Sequence, residues 1–304
     1  MPKSLWEVYS ALDEDDFRVL RAIERRQGRY EYVPVELVER DSGLPPSRFA
    51  RSVFKLSNFK LIRRRLGNVS GYTLTYMGLD VLALRSLVGR GVIEGLGDKI
   101  GVGKEGDVYI AVAPGGGRVV VKFHRAGRES FRKIRRHRSY AMDFRGTTWL
   151  LLAKIIGERE FKALSSLEKE GAKVPRAIAW SRHAVVQEYI EGVELVEIRD
   201  MDEQSVIKIL SDVIDTLRIA YTRVGIVHGD LSEYNILVST GDSGVNAYVI
   251  DWPQYIYRDE ANADELLRRD VEYLVRFVRR RFRVQVDVDP IIGYVRGETD
   301  EKPW

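Results

Sequence analysis

The chain has 304 residues, 44% hydrophobic and 31% charged, which is long and apolar enough for two domains that each bury a core. Its 49 Lys and Arg against 45 Asp and Glu leave a net charge of +4, so no polyanionic partner follows from the total alone. The absence of cysteine excludes disulfides and thiolate metal sites, and metal chemistry here relies on oxygen ligands.

Apolar residues recur at helical spacing around Phe17 to Ile23, from Val35 to Val38 and, after SGLPPSR, through Phe49, Val53 and Leu56. From Leu61 to Tyr76 the period changes: a Leu-Ile-Arg-Arg-Arg run, a Gly-Asn turn and Gly-Tyr-Thr-Leu-Thr predict a β-ribbon, and a helix resumes from Met77 to Leu87. Helices followed by a ribbon predict a winged helix-turn-helix over residues 1–90. Between Ser42 and Leu79 there are seven Lys or Arg and no Asp or Glu, whereas residues 1–41 are rich in acids. Arg48, Arg51, Lys55, Arg63, Arg64 and Arg65 are the candidate nucleic-acid contacts, meeting phosphates with weak sequence preference and steep salt dependence. A solvated basic face is the plainer alternative.

A kinase-like domain is expected over residues 91–304, with an N-lobe over 91–187 and a C-lobe over 188–304. Ile100–Tyr109 reads IGVGKEGDVY, a G-x-G-x-x-G run between β-branched segments. A dinucleotide-binding turn of this spacing leads into a helix, whereas Val108, Tyr109 and Ile110 predict a strand. A phosphate-covering hairpin is therefore expected, with Gly101, Gly103, Lys104, Glu105, Gly106 and Val108 around the nucleotide. The following strand, RVVVKFH, carries Lys122, the expected partner of the α- and β-phosphates. Arg125 to Arg138, RAGRESFRKIRRHR, is a basic connection. The apolar run WLLLAKII at Trp149–Ile156 is too short to span a bilayer; no signal peptide is read, and a cytoplasmic location without membrane contact is expected. A helix over 157–167 offers Glu158 and Glu160 as carboxylate partners for Lys122; Glu160 is preferred because it adjoins Phe161 near the face formed with Leu164 and Leu167. Ala184–Ile190 reads as a strand entering a hinge, where the carbonyl of Glu188 and the amide of Ile190 would meet an adenine edge.

Ile226–Asn235, IVHGDLSEYN, followed by VIDWP at Val249–Pro253, is the densest motif. Val224–Val227 and Tyr248–Ile250 predict short buried strands that hold the aspartates at their ends. Asp230 would accept or orient the proton of an attacking hydroxyl, while Asn235 and Asp251 would give Mg²⁺ hard oxygen ligands beside the nucleotide phosphates. His228 is expected to brace the loop. Between Asp251 and a helix predicted near Asp264 there is no room for a peptide-docking activation segment, and Asp270 on that helix is a candidate brace for the catalytic loop.

GVGKEGDVY, VKFHRAG, IVHGDLSEYN and IDWPQ resemble the RIO family of atypical protein kinases across about residues 95–290, and YEYVP at Tyr30–Pro34 resembles the start of its second branch, which joins a winged helix to the RIO domain. The fold expected is therefore α+β, a winged helix-turn-helix followed by a bilobal RIO domain. The resemblance implies ATP with Mg²⁺ (or Mn²⁺), serine/threonine kinase and ATPase activity, and the small ribosomal subunit or its precursor RNA as partner. It also implies transient phosphorylation of Asp251 and a flexible loop at residues 125–138, in which Ser130 is the self-phosphorylation candidate. Gly106 stands where that branch commonly has serine, and is expected to loosen the loop; Trp252 stands where phenylalanine is frequent. Two other readings stay open. One is a small-molecule phosphotransferase of the aminoglycoside or choline kinase type; the other is a nucleic-acid-binding regulator that only senses ATP.

Overall fold

A computed structural model describes residues 4–67, 70–102, 106–125, 149–241 and 244–304. Gly103, Lys104, Glu105 and Ser130, and all of the basic segment after Arg125, lie outside the described residues.

The N-terminal segment begins with α1 (Leu5–Ser10) and α2 (Glu14–Arg26), each opened by a reciprocal capping box, Ser4 with Glu7 and Asp13 with Asp16. In α2, Phe17, Leu20 and Ile23 fall on one face and are buried, as their spacing demands. Strand β1 (Val33–Pro34) precedes α3 (Val35–Ser42), which ends at Gly43 in the left-handed region. Helix α4 (Pro46–Asn58) buries Phe49, Ser52 and Leu56, and β2 (Ile62–Arg65) and β3 (Gly71–Leu74) form the wing, with Ile62 opposite Leu74 and Arg65 opposite Gly71. With β1 added, the sheet order is β1-β3-β2. Helix α5 (Tyr76–Gly89), capped by Thr75, is buried along most of its length. The predicted winged helix is present; α1 is an addition whose short stretch carried no clear period.

Strands β4 (Gly95–Val102), β5 (Gly106–Val112) and β6 (Arg118–His124) form an antiparallel meander. Helix α6 (Trp149–Lys169) follows, and β7 (Ala177–Ser181) and β8 (Ala184–Glu188) complete a five-stranded sheet ordered β4-β5-β6-β8-β7. The apolar run at Trp149–Ile156 is thus the first half of α6, longer at its start than the predicted 157–167.

The remainder holds β9 (Val193–Glu194), α7 (Glu203–Ile219), β10 (Ile226–Val227), β11 (Ile236–Gly241), β12 (Gly244–Val249), β13 (Ile256–Tyr257), α8 (Ala263–Phe282) and α9 (Val288–Arg296). Strands β11 and β12 pair antiparallel with β9 on the outer edge of β11, and β10 pairs with β13. Val224 is not part of a strand: it ends a π-turn (Ala220–Val224) closed by Gly225 in the left-handed region, which leaves only Ile226 and Val227 extended.

The chain forms two compact units, Met1–Glu158 with Ile178–Val186, and Arg159–Ala177 with Gln187–Trp304. Each has its own apolar core. In the first, one cluster runs from Phe17 and Leu20 of the winged helix to Val121 and Phe123 of the sheet, so no break in packing occurs near residue 90. Two ionic bridges reinforce that join. Glu24 of α2 accepts from Lys154 at 2.7 Å and from both Arg182 Nε and Nη2 at 2.7 and 2.9 Å. Asp80 of α5 accepts from Arg125 Nη1 and Nη2 at 2.6 and 2.8 Å. The second unit packs α7, α8 and α9 around Ile214, Val249 and Trp252. Among the described residues no helix is long and apolar enough to cross a membrane.

Candidate active site

In the first unit the hairpin β4–β5 carries the glycine run. Gly101 pairs with Val108, Gly106 with His124, and Val108 with Lys122, so Lys122 lies directly across the ladder from the returning limb of the glycine loop. Lys122 is 8% exposed. A Cβ on Gly106 would stand 2.6 Å from the Phe123 carbonyl oxygen, a contact that must push β5 away from β6. Close strand approach therefore favours glycine at 106, and a side chain there needs β5 and β6 to part slightly.

Next to Gly106, Asp107 accepts from Arg125 Nε at 2.8 Å and lies 3.3 Å from Lys99 Nζ. Arg125, itself buried, thereby links α5 to the strand that bears the glycine loop. Burial opposes the ionised form of Asp80, but the guanidinium of Arg125 and the His183 imidazole, 2.7 Å away, outweigh it and hold the carboxyl below its ordinary range. Burial pushes the His183 imidazolium down, so the ring is neutral and donates to Asp80.

Glu160 is 1% exposed on α6, whereas Glu158 is half-buried. Glu188 closes β8 and its amide donates to the Arg176 carbonyl at 2.9 Å; Ile190 lies just beyond the strand.

In the second unit the loop after β10 is clamped from α8. Asp270 accepts the Gly229 amide at 2.6 Å on one oxygen and the Leu231 amide at 3.2 Å on the other, bracketing Asp230 between two fixed peptide groups. Arg269 donates to the Gly229 carbonyl. Gly229 has φ +75°, a conformation that suits glycine where the chain must turn this sharply. His228 Nε2–H donates to the Ile250 carbonyl at 3.0 Å while its Nδ1 accepts from the Asp230 amide at 3.3 Å, which fixes the tautomer and ties the two aspartate-bearing segments together. It braces the loop, as read from the sequence.

Asn235 lies close by: its Nδ2 donates to the Asp230 carbonyl at 3.2 Å, and its Oδ1 accepts from the Ser232 hydroxyl at 3.3 Å. The Ile250 amide donates to the Asn235 carbonyl at 2.9 Å, locking Asn235 beside Asp251. Asp251 has φ +68°, sparsely populated by non-glycine residues. Its neighbour Trp252 is fully buried, donates to the Val249 carbonyl at 3.0 Å and stacks obliquely on His228 at 4.6 Å, so the indole anchors the turn. Glu194 has its carboxyl pushed up by burial and by the nearby charges of Glu197 and Asp251. An amide oxygen and a carboxylate on two backbone-linked segments are the kind of hard donors that suit Mg²⁺, which takes few protein ligands and completes its shell with phosphate and water.

Two residues here escaped sequence reading. Arg159 donates to the Pro253 carbonyl at 3.3 Å and to that of Tyr255, with its guanidinium 4.0 Å above the Tyr255 ring, so it holds the segment that follows Asp251. Gln254 Nε2 reaches Asp230 Oδ2 at 3.4 Å; nothing in the sequence marks it.

The candidate nucleic-acid contacts divide into two groups. On α4, Arg48 makes a bidentate pair with Asp15, Arg51 lies 3.5 Å from the same carboxylate, and Lys55 pairs with Asp16 at 2.6 Å and Asp13 at 3.4 Å. The acids of α2, remote in sequence, thus face the basic helix. Arg63, Arg64 and Arg65 on β2 are exposed, and among the described residues none lies within ion-pair distance of a carboxylate.

The RIO domain family matches residues 107–291, and the family described as Rio2, N-terminal, matches residues 9–90. The chain is 35% identical over 89% of its length to the serine/threonine-protein kinase rio2 of Dictyostelium discoideum, but spans only 51% of that protein. It is 32% identical to the RIO-type serine/threonine-protein kinase Rio2 of Methanocaldococcus jannaschii, covering 88% of this chain and 98% of the relative. Among solved structures, the Rio2 kinase of Chaetomium thermophilum, in an ADP/Mg²⁺-phosphoaspartate complex, superposes with a TM-score of 0.80 at 29% identity, over 97% of this chain and 89% of the other. The chain belongs to the RIO family, with the N-terminal domain of the Rio2 branch ahead of its RIO domain.

Proposed function

We propose that this chain is an ATP- and Mg²⁺-dependent atypical serine/threonine kinase and ATPase that acts in maturation of the small ribosomal subunit. The observation that carries the reading is the clamp of Asp270 on the Gly229 and Leu231 amides, which holds Asp230 beside Asn235 on a pre-set loop. Asp230 is the group that orients the attacking hydroxyl or water and takes its proton. Asn235 Oδ1 and a carboxylate oxygen of Asp251 hold the cation, which when bound neutralises charge on the transferring phosphoryl group. Lys122 binds the α- and β-phosphates, with Glu160 as its carboxylate partner, and the glycine hairpin covers them. The Glu188 carbonyl and Ile190 amide take the adenine edge. Asp251 is also the phosphoryl acceptor of a transient acyl-phosphate, whose hydrolysis releases phosphate; Ser130 is the candidate for stable self-phosphorylation. The exposed arginines of the wing are the electrostatic basis for contact with ribosomal RNA.

The test is turnover of γ-labelled ATP with Mg²⁺ by the full chain and by Asp251→Asn, following label in free phosphate and in protein, with and without small-subunit particles. Turnover stimulated by the particles, with a labile acyl-phosphate label lost in Asp251→Asn, is the expected result. ATP binding without turnover or label would replace the enzyme by a nucleotide-sensing regulator.

A further inference from the structure

Phe54 and Leu66 are 70% and 72% exposed, the two most exposed large hydrophobic side chains among the described residues, and both belong to the winged helix. Phe54 lies on the face of α4 opposite the buried Phe49, Ser52 and Leu56, in an exposed stripe with Ser47, Ala50 and Ser57. Leu66 follows β2 directly. Beside it stand Arg63, Arg64 and Arg65, with Arg64 5.9 Å over the Tyr72 ring and Arg65 5.0 Å over the Tyr32 ring.

A helix that reads duplex in the major groove presents polar side chains to base edges and cations to phosphates. The stripe on α4 instead offers a phenyl ring among small residues, while Arg48, Arg51 and Lys55 are engaged by Asp13, Asp15 and Asp16. Of the six candidate contacts, the cations left open to a polyanion are those of the wing. An aromatic ring in solvent on the helix that leads into a wing whose guanidinium groups face no carboxylate suits a strand whose bases are not already stacked in a duplex.

We propose that the α4 and wing surface binds single-stranded RNA, with an unpaired base stacked on Phe54 and the sugar-phosphate strand held by Arg63, Arg64 and Arg65. This rests on the reading that the chain works on ribosomal RNA, and it adds which form of RNA is taken and by which side chains.

The experiment is fluorescence anisotropy of the full chain with a labelled, unstructured RNA strand, the same sequence as an RNA duplex, and the same sequence as single-stranded DNA, from about 50 to about 300 mM salt. The single RNA strand binds tightest. Phe54→Ala weakens it by about 5- to 100-fold, Phe54→Trp restores it, and Phe54→Leu does not. Replacing Arg63, Arg64 and Arg65 together by Ala flattens the salt slope by about 2, whereas Arg48→Ala with Arg51→Ala changes it little. Because these residues are exposed, ATP turnover of each variant serves as the check that it folds. Tighter binding of duplex or of single-stranded DNA overturns the inference, as does Phe54→Ala binding at the original affinity; in each case RNA binding itself still stands. Failure of the unaltered chain to bind any RNA overturns the ribosomal reading beneath it.

Discussion

Asp80 in the first unit and Asp270 in the second are both buried carboxylates, and they are held in opposite ways. Asp80 faces charge: a bidentate guanidinium and an imidazole reach it from segments 45 and 103 residues away, and its carboxyl lies below the ordinary range. Asp270 faces backbone: it accepts two amides of one loop, and burial pushes its carboxyl up although His228, Arg269 and those amides favour the anion. The first arrangement joins a winged helix to a sheet. The second fixes a few peptide groups around one aspartate. A buried acid can thus fasten domains or shape a site, and the nature of its donors tells which.

The largest effect is expected where the shaped loop delivers its product. Asp230→Ala lowers ATP turnover by about 10² to 10⁴ while leaving ATP affinity and the unfolding midpoint near their original values. A parallel loss of stability would show that the loop, like the Asp80 cluster, is a fastening. Next comes Asp80→Ala, which leaves Arg125 with an incomplete set of partners and costs about 3 to 5 kcal/mol by urea denaturation. Turnover reduced at full stability would instead make Asp80 part of the site through Arg125 and Asp107, and the contrast would fail.

What the sequence disclosed follows the same division. Asp230, Asn235 and Asp251 stood out because their residue types and spacing match those that phosphoryl transfer uses, and His228 ties the two segments that carry the aspartates. Asp270 was legible as a candidate brace because it sits in a helix just after the motif. The cluster of Asp80, Arg125, Asp107 and His183 left no trace, since its members come from four separate stretches of chain and each looks like an ordinary surface charge. The basic stripe read from Arg48 to Arg65 gave no sign that its α4 part faces carboxylates: Asp15 is 33 residues from Arg48, and only the packing of α2 on α4 brings them together. At Gly106 the one-dimensional pattern gave the residue but not its cause, which is the Phe123 carbonyl on a neighbouring strand.

Asp270→Asn sharpens the contrast at smaller scale. An amide presents one acceptor and one donor end where two N–H groups must be accepted, so either the Gly229 or the Leu231 amide is left unpaired. The expected loss is about 1 to 3 kcal/mol, with turnover falling and ATP affinity retained. Equal loss from Asp270→Asn and Asp80→Ala would mean that backbone and ionic donors hold a carboxylate alike.

The smallest effect is one of sign, and it separates the two acids without removing either side chain's bulk. Asp80 has its folded pKa depressed below the reference value of 3.8, so its contribution is present above that pH and is lost as pH falls through the folded value. Asp270 has its folded pKa raised above 3.8, so stability is fullest below that pH and declines as pH rises through the folded value. Urea titrations at a series of pH values should therefore show Asp80→Asn flattening the acid limb below about pH 4, and Asp270→Asn flattening a decline that begins above it. The same limb flattened by both substitutions would show that the amides of Gly229 and Leu231, with Arg269, hold Asp270 as firmly ionised as Arg125 holds Asp80.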